Sequence, residues 1–293
     1  MVGNTVKNKF HSTTVVSFVR PSAIELMQRI SSRQNSVVAK YKNAAAGEDH
    51  ALMLLDGVHL VGEALAAHIP VTHVLVAAEA ADRADIRPLI ENAVRAGAEV
   101  AAAAAPVMRA VSPVRSASPI VALAGRPQPG EARLYGSKPA LVLIACGVQD
   151  PGNIGAIARA VEAAGGSGLV ATNGCADPFG WKALRGSMGS AFRLPIVVDR
   201  SIEHAVARAR HHGCRIVAMV PREGQSLDSA DLAGPTVVLV GGEGHGLPTP
   251  LVDAAEARVT IPMQPPVESL NTATSAALIF YEARRQRLAG KPS

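Results

Sequence analysis

Residues 140–159, ALVLIACGVQDPGNIGAIAR, decide the fold. Residues 140–146 are an unbroken apolar run, the mark of a strand covered on both faces. Asp150, Pro151, Gly152 and Asn153 are turn and N-cap types. Ile154, Ile157, Ala158 and Val161 then recur at helical spacing. Strand, loop and helix in that order open a βα unit, and the pattern repeats downstream. Residues 168–172 and 193–198 are strand-like. Ile202, Ala205, Val206 and Ala209 mark a helix stopped by Gly213. Residues 215–220 and 236–240 are further apolar runs, and residues 269–288 close as a helix with Leu270, Ala273, Ala277 and Phe280 as its apolar stripe. This alternation predicts an α/β domain on a parallel sheet. Ligands of such sheets bind beyond the C-terminal ends of the strands.

Upstream, residues 125–139, GRPQPGEARLYGSKP, carry three prolines and three glycines. They read as a linker over 126–139, dividing a domain at 31–125 from one at 140–293. In the first domain, residues 52–55 and 71–77 are strand-like, and Val58, Val61, Leu65 and Ile69 between them have helical spacing. The alanine run 101–105, bracketed by Gly97 and Pro106, predicts a short strand and then a turn. The first domain is therefore a small α/β unit. Residues 1–30 read as a disordered basic tail, in preference to an organelle transit peptide.

Composition narrows the function. Hydrophobic residues make up 48% of the 293, and aromatics only 3%, so the cores are built from Ala, Val, Leu and Ile. No apolar run approaches the roughly 18–20 residues that span a bilayer. Three scattered cysteines, without CxxC or Cys/His ligand spacing, fit free thiols in a reducing, cytoplasmic setting and no metal. The net charge of +5 is unevenly spread. Residues 1–45 hold seven Lys/Arg and one acid, and the rest is near balance. A basic segment attracts a phosphate backbone, although a solubilising tail has the same composition.

Three segments of the second domain carry chemistry. In 147–159, Arg159 stands among Ile157, Ala158 and Ala160, either as a surface charge or as a group aimed at an anion. In 237–248, VVLVGGEGHGLP, an apolar strand breaks into four glycines within six residues around Glu243. Glycine permits positive φ and close approach of backbone to a ligand. The segment is neither a GxGxxG fingerprint nor a Walker A loop. In 261–271, IPMQPPVESLN, Ser269 or Asn271 is placed to cap the final helix.

In this order, Asn153, Arg159, Gly241-Gly242-Glu243-Gly244, Ile261-Pro262-Met263 and Ser269-Leu270-Asn271 resemble the three motifs of the SpoU (TrmH-type) RNA ribose methyltransferases of the SPOUT superfamily. The resemblance covers residues 140–288. The first domain is similar to that family's substrate-binding domain at Ser32-Arg33-Gln34-Asn35 and at Asp56-Gly57, where Asp stands for the usual Glu. Residues 112–119, SPVRSASP, depart from the usual ending of that domain.

The resemblance implies a deep trefoil knot in the second domain, an exception to the rule that chains are unknotted. It implies S-adenosylmethionine as methyl donor, no metal, a homodimer, and RNA, ribosomal by preference over transfer RNA, as substrate. Leu239, Gly241, Gly242, Gly244, Ile261, Met263 and Leu270 are the expected donor-binding residues. Asn153, Arg159, Glu243, Ser269 and Asn271 are the expected catalytic set. Arg33, Lys40 and Lys42 are the expected RNA contacts. The competing readings are a non-catalytic RNA-binding member of the fold and an unrelated dinucleotide-dependent oxidoreductase, the latter opposed by the missing fingerprint.

Overall fold

The computed structural model describes residues 27–137, 139–199, 201–244 and 246–290. The first domain is a mixed five-stranded sheet. Its strands are β1 (Gln28–Ile30), β2 (Leu52–Asp56), β3 (Val71–Ala77), β4 (Glu99–Ala103) and β5 (Ile120–Gly125), in the spatial order β1-β4-β3-β5-β2. β5 runs antiparallel to both β2 and β3, and the other pairs are parallel. Helices α1 (Ser36–Ala46), α2 (Val58–Ala66), α3 (Arg87–Arg95) and α4 (Ala105–Val111) join them.

Two expectations shift here. β1 pairs with β4 from Gln28 onward, so residues 28–30 belong to the domain and not to a tail. Residues 1–26, the rest of that segment, lie outside the described residues. The alanine run does form a strand, but a helix, not a turn, follows it, because Pro106 sits in the first turn of α4, where its missing N–H costs nothing. The expected linker is only partly open chain. It contains α5 (Glu131–Tyr135), whose Leu134 is 2% exposed and packs into the second domain.

The second domain is a seven-stranded, all-parallel sheet. β6 (Leu141–Cys146), β7 (Gly168–Ala171), β8 (Ile196–Val198), β9 (Arg215–Met219), β10 (Gln225–Ser226), β11 (Thr236–Gly241) and β12 (Ala257–Thr260) lie in the order β10-β12-β9-β11-β6-β7-β8. Helices α6 (Pro151–Ala163), α7 (Trp181–Ser187), α8 (Ser190–Arg193), α9 (Ile202–His211), α10 (Thr249–Asp253) and α11 (Thr272–Ala289) surround it. The strand expected over 193–198 is shorter, since residues 190–193 close a helical turn first.

Local chemistry explains the central unit. Asp150 caps α6, its Oδ1 accepting the Asn153 N–H at 2.9 Å, and Pro151 occupies the first turn. α6 and α7 meet backbone to backbone at Gly155, where any Cβ would collide with Ala183 and Gly186. α11 lies on α6 and β11. Its buried stripe is Ala273, Ala276, Ile279, Phe280 and Ala283. That stripe is rotated from the expected one, leaving Leu270 outside the helix and Ala277 at its margin. Residues 261–271 return the chain from β12, two strands away, to the open end of β11 and β6.

Candidate active site

Three loops meet at the C-terminal ends of β6 and β11. The loop after β11 bends back on itself through an antiparallel bridge between Gly242 and Gly246. Its Gly242 N–H donates to the Cys146 carbonyl at 2.8 Å, which ties it to the loop after β6. A side chain at Gly242 would run into the Gly147 carbonyl, and one at Gly241 into the backbone of Gly246 and Leu247. Gly244 and Gly246 hold φ of +96° and +63°. Glycine is thus required here twice over, for close approach and for left-handed backbone.

Behind these turns lies a cavity of about 560 Å³, within the size range of small-molecule sites. Gly241, Gly242, Glu243 and Gly244 form one wall. Ile261, Met263, Ser269, Leu270 and Asn271 line the cavity as well. Met219, Val220 and Pro221, at the end of β9, also line it. Sequence reasoning missed these three. Their signal was available: a strand ending in Val-Pro beside the glycine-rich strand, at the edge where parallel sheets bind ligands.

A chain of polar contacts runs along the rim. Asn153 Nδ2 donates to Glu243 Oε1, and Asn271 Nδ2 donates to Asn153 Oδ1 at 3.0 Å. Asn271 also caps α11, its Oδ1 accepting the N–H groups of Ala273 and Thr274 at 2.9 and 3.2 Å. One residue from each of the three sequence segments therefore enters a single network. Ser269 lines the cavity beside it.

The remaining expected residues are elsewhere. Leu239 does not line the cavity. It is fully buried inside β11, as a central strand with helices on both faces demands. Arg159 does not line it either. It is exposed on α6, six residues and about 9 Å along the axis from Asn153. Arg33, Lys40 and Lys42 are exposed at and on α1 of the first domain, away from the cavity. Lys40 Nζ lies 3.3 Å from His73 Nε2. Burial and the Lys40 charge push the His73 pKa down, which leaves its ring free to accept that bond.

Two thiols sit under the site. Burial pushes the Cys146 thiol up to about 12 and raises that of Cys175. Cys175 Sγ accepts the Val148 N–H at 3.3 Å and donates to the Ala145 carbonyl at 3.2 Å. Both thiols stay protonated near neutrality, which makes them poor nucleophiles, and Cys175 braces the loop after β6.

Comparison with known proteins fits this geometry. Residues 140–281 match the SpoU rRNA Methylase family. The 23S rRNA (guanosine(2553)-2'-O)-methyltransferase RlmP of Bacillus subtilis is 28% identical over 261 residues, 88% of this chain and 100% of that protein. An uncharacterized tRNA/rRNA methyltransferase of Synechocystis is 40% identical over 142 residues. That match spans 48% of this chain and 52% of the relative, so the chain spans about half the length of several relatives it matches. Among solved structures, the SpoU methyltransferase AviRb of Streptomyces viridochromogenes, in complex with AdoMet, superposes with a TM-score of 0.80 at 27% identity. The superposition covers 88% of this chain and 100% of that one. An RNA 2'-O ribose methyltransferase superposes with a TM-score of 0.73 at 29% identity, covering 89% and 100%. The parallel sheet, its glycine-lined cavity and the family match over 140–281 together place the second domain of this chain in the SpoU rRNA Methylase family.

Proposed function

We propose that this chain transfers a methyl group from S-adenosylmethionine to a ribose 2'-hydroxyl of ribosomal RNA, and works as a homodimer. The cavity at the open end of β11 carries the reading. It is walled by glycine backbone and apolar side chains, which suit a flat base and a ribose held through main-chain groups. Backbone groups of Gly241, Ile261 and Leu270 would hold the donor, which supplies an electrophilic methyl with a neutral thioether as its leaving group.

The chain's own residues then orient and activate the acceptor. Well-positioned reactants can gain roughly 7–11 kcal/mol over free encounter. Asn153, locked between Glu243 and Asn271, fixes the rim against which the ribose lies. Arg159 is exposed and has no hydrogen bond or ion pair to a described residue, so its charge is available to an RNA phosphate. A guanidinium, with pKa above about 12, is a poor base. Its part is to hold that phosphate and lower the hydroxyl pKa electrostatically. Arg33, Lys40 and Lys42 supply phosphate contacts from the first domain. Ribosomal RNA is favoured because the relative acting on 23S rRNA matches across both domains. Among the described residues no cluster of His, Cys, Asp or Glu is arranged to hold a metal ion, and no helix is long and apolar enough to cross a membrane.

The test combines calorimetry with mapping. Titration of S-adenosylmethionine should release or absorb heat with one site per chain. Arg159→Ala should keep that binding and lose about 10²–10³-fold in kcat. Ribose methylation mapped across total RNA should show one ribosomal position lost in a deletion strain and restored by complementation. A lost position in transfer RNA instead would overturn the ribosomal assignment, and no binding of the donor would overturn the methyltransferase.

A further inference from the structure

The two domains are joined by more than the linker. Asp56, the last residue of β2, is only 1% exposed in its side chain. Its Oδ1 accepts from Ser112 Oγ at 2.9 Å, and its Oδ2 lies 3.2 Å from Arg185 Nη1 on α7 of the other domain. A carboxylate taken out of water needs such a partner, and loss of the partner leaves a buried charge uncompensated. A second junction lies on α2. Arg193 of α8 bonds Glu63 of the first domain and, through Nε and Nη2, both oxygens of Glu162 on α6 at 2.7 and 3.1 Å. Gly189, at φ +89°, leaves room for Glu63, whose atoms would collide with any Cβ there. At the other end of β2, Arg126 accounts for a third. Its Nε donates to the Leu52 carbonyl at 3.0 Å and its Nη1 pairs with Asp177 at 2.8 Å.

These junctions hold β2 at both ends and α2 at a third point, and together they restrain the first domain against the second. All three land on, or next to, α6 and α7, whose backbones touch at Gly155. α6 is the helix that carries Asn153 and Arg159. The donor cavity, by contrast, is lined wholly by second-domain residues beyond position 218.

We propose that Arg185 and Arg193 are positioning residues, which fix the RNA-holding domain in register with Asn153 and Arg159 through the buried Asp56 and through Glu63. The proposal rests on the reading of the first domain as the RNA holder. Neither arginine touches donor or acceptor. Their effect lies in where the ribose arrives, and a displacement of about 1 Å can cost about a hundredfold in rate.

The test compares wild type, Arg185→Ala, Arg185→Lys and the Arg185→Ala/Arg193→Ala pair as full-length proteins. Donor affinity should stay within about twofold across the series, because the cavity is intact. With total RNA from a strain lacking the gene as substrate, kcat should fall about 10–100-fold in the pair and recover in part with Lys at 185. Small-angle scattering of the pair should show a wider maximum dimension than wild type. Unchanged kcat and unchanged scattering in the pair would overturn the coupling, as would a loss of donor affinity equal to the loss of kcat. A wild-type protein that transfers no methyl, yet opens when the pair is changed, would sustain the coupling while removing the methyltransferase reading. If the alanine variants fail to fold, Arg185→Lys alone decides: intact donor binding with reduced kcat supports, and full activity with unchanged scattering overturns.

Discussion

Cys146 illustrates how position, not residue type, sets chemistry at the scale of one side chain. It ends β6 directly beneath the candidate active site, where a thiolate would be conspicuous, yet its thiol is pushed up to about 12 by burial, against an ordinary value of 9.0. Between these values the unfolded chain gives up a proton that the folded chain keeps. Stability from this group is therefore intact below about pH 9 and falls as pH rises towards 12. Urea midpoints measured at pH 8 and 10.5 should drop for wild type and drop less for Cys146→Ala. Parallel drops would show that the thiol is not the buried group described. Asn153, Glu243 and Asn271 are the opposite case. They are ordinary polar residues in the sequence, and meaning comes from their contact across 90 and 118 positions.

At the scale of the element, α11 is the piece on which the site depends most. Its N-terminus is fixed at the cavity, where Asn271 caps it and Thr272 Oγ1 donates to the Gly241 carbonyl at 3.2 Å. Its C-terminus is fixed at the opposite end of the same two strands, just before β6 and β11. There Arg287 donates to the carbonyls of Leu232, Pro139, Ala140 and Gly234 at 2.6–3.1 Å. Gln286 adds bonds to the Leu232 N–H and the Ala230 carbonyl. Hydrogen bonds to a charged donor contribute about 1.5–3 kcal/mol. Arg287→Ala should cost about 3 kcal/mol of unfolding free energy by urea titration. A loss under about 1 kcal/mol would mean that the sheet carbonyls hold the helix far less than their geometry indicates.

For the whole molecule, the apolar surface left uncovered bears on assembly. Leu278 and Tyr281, three positions apart on α11, are 41% and 51% exposed, and Leu288 is 53% exposed further along the helix. Large apolar side chains exposed along one helix suit an interface with a second copy. Light scattering after size exclusion should give twice the 30.2 kDa chain mass for wild type. Leu278→Asp/Tyr281→Asp should shift it towards the monomer with the far-UV circular dichroism unchanged. A monomeric wild type that methylates at full rate would refute the dimer.

The sequence by itself determined the alternation of β6, α6, β7, β8, α9, β9, β11 and α11 in the second domain, because strands buried on both faces must be continuous apolar runs and their helices must repeat at 3.6; it did not show α7, α8, α10 or β10. It also singled out, through the resemblance to the family's three motifs, the glycine-rich and polar stretches that line the cavity. It could not reveal β12, whose four residues ARVT carry too little apolar signal. Nor could it show that Leu239 faces the core, since a central strand is apolar on both sides. Tertiary structure alone decided that Asn153, Glu243 and Asn271 share one rim while Arg159 stands off it. It alone paired Asp56 with Arg185 and wrapped the cavity with the end of β9. The physical reason is the same each time: local propensity is written within a few residues, whereas contacts between distant segments exist only once the sheet order has brought them together.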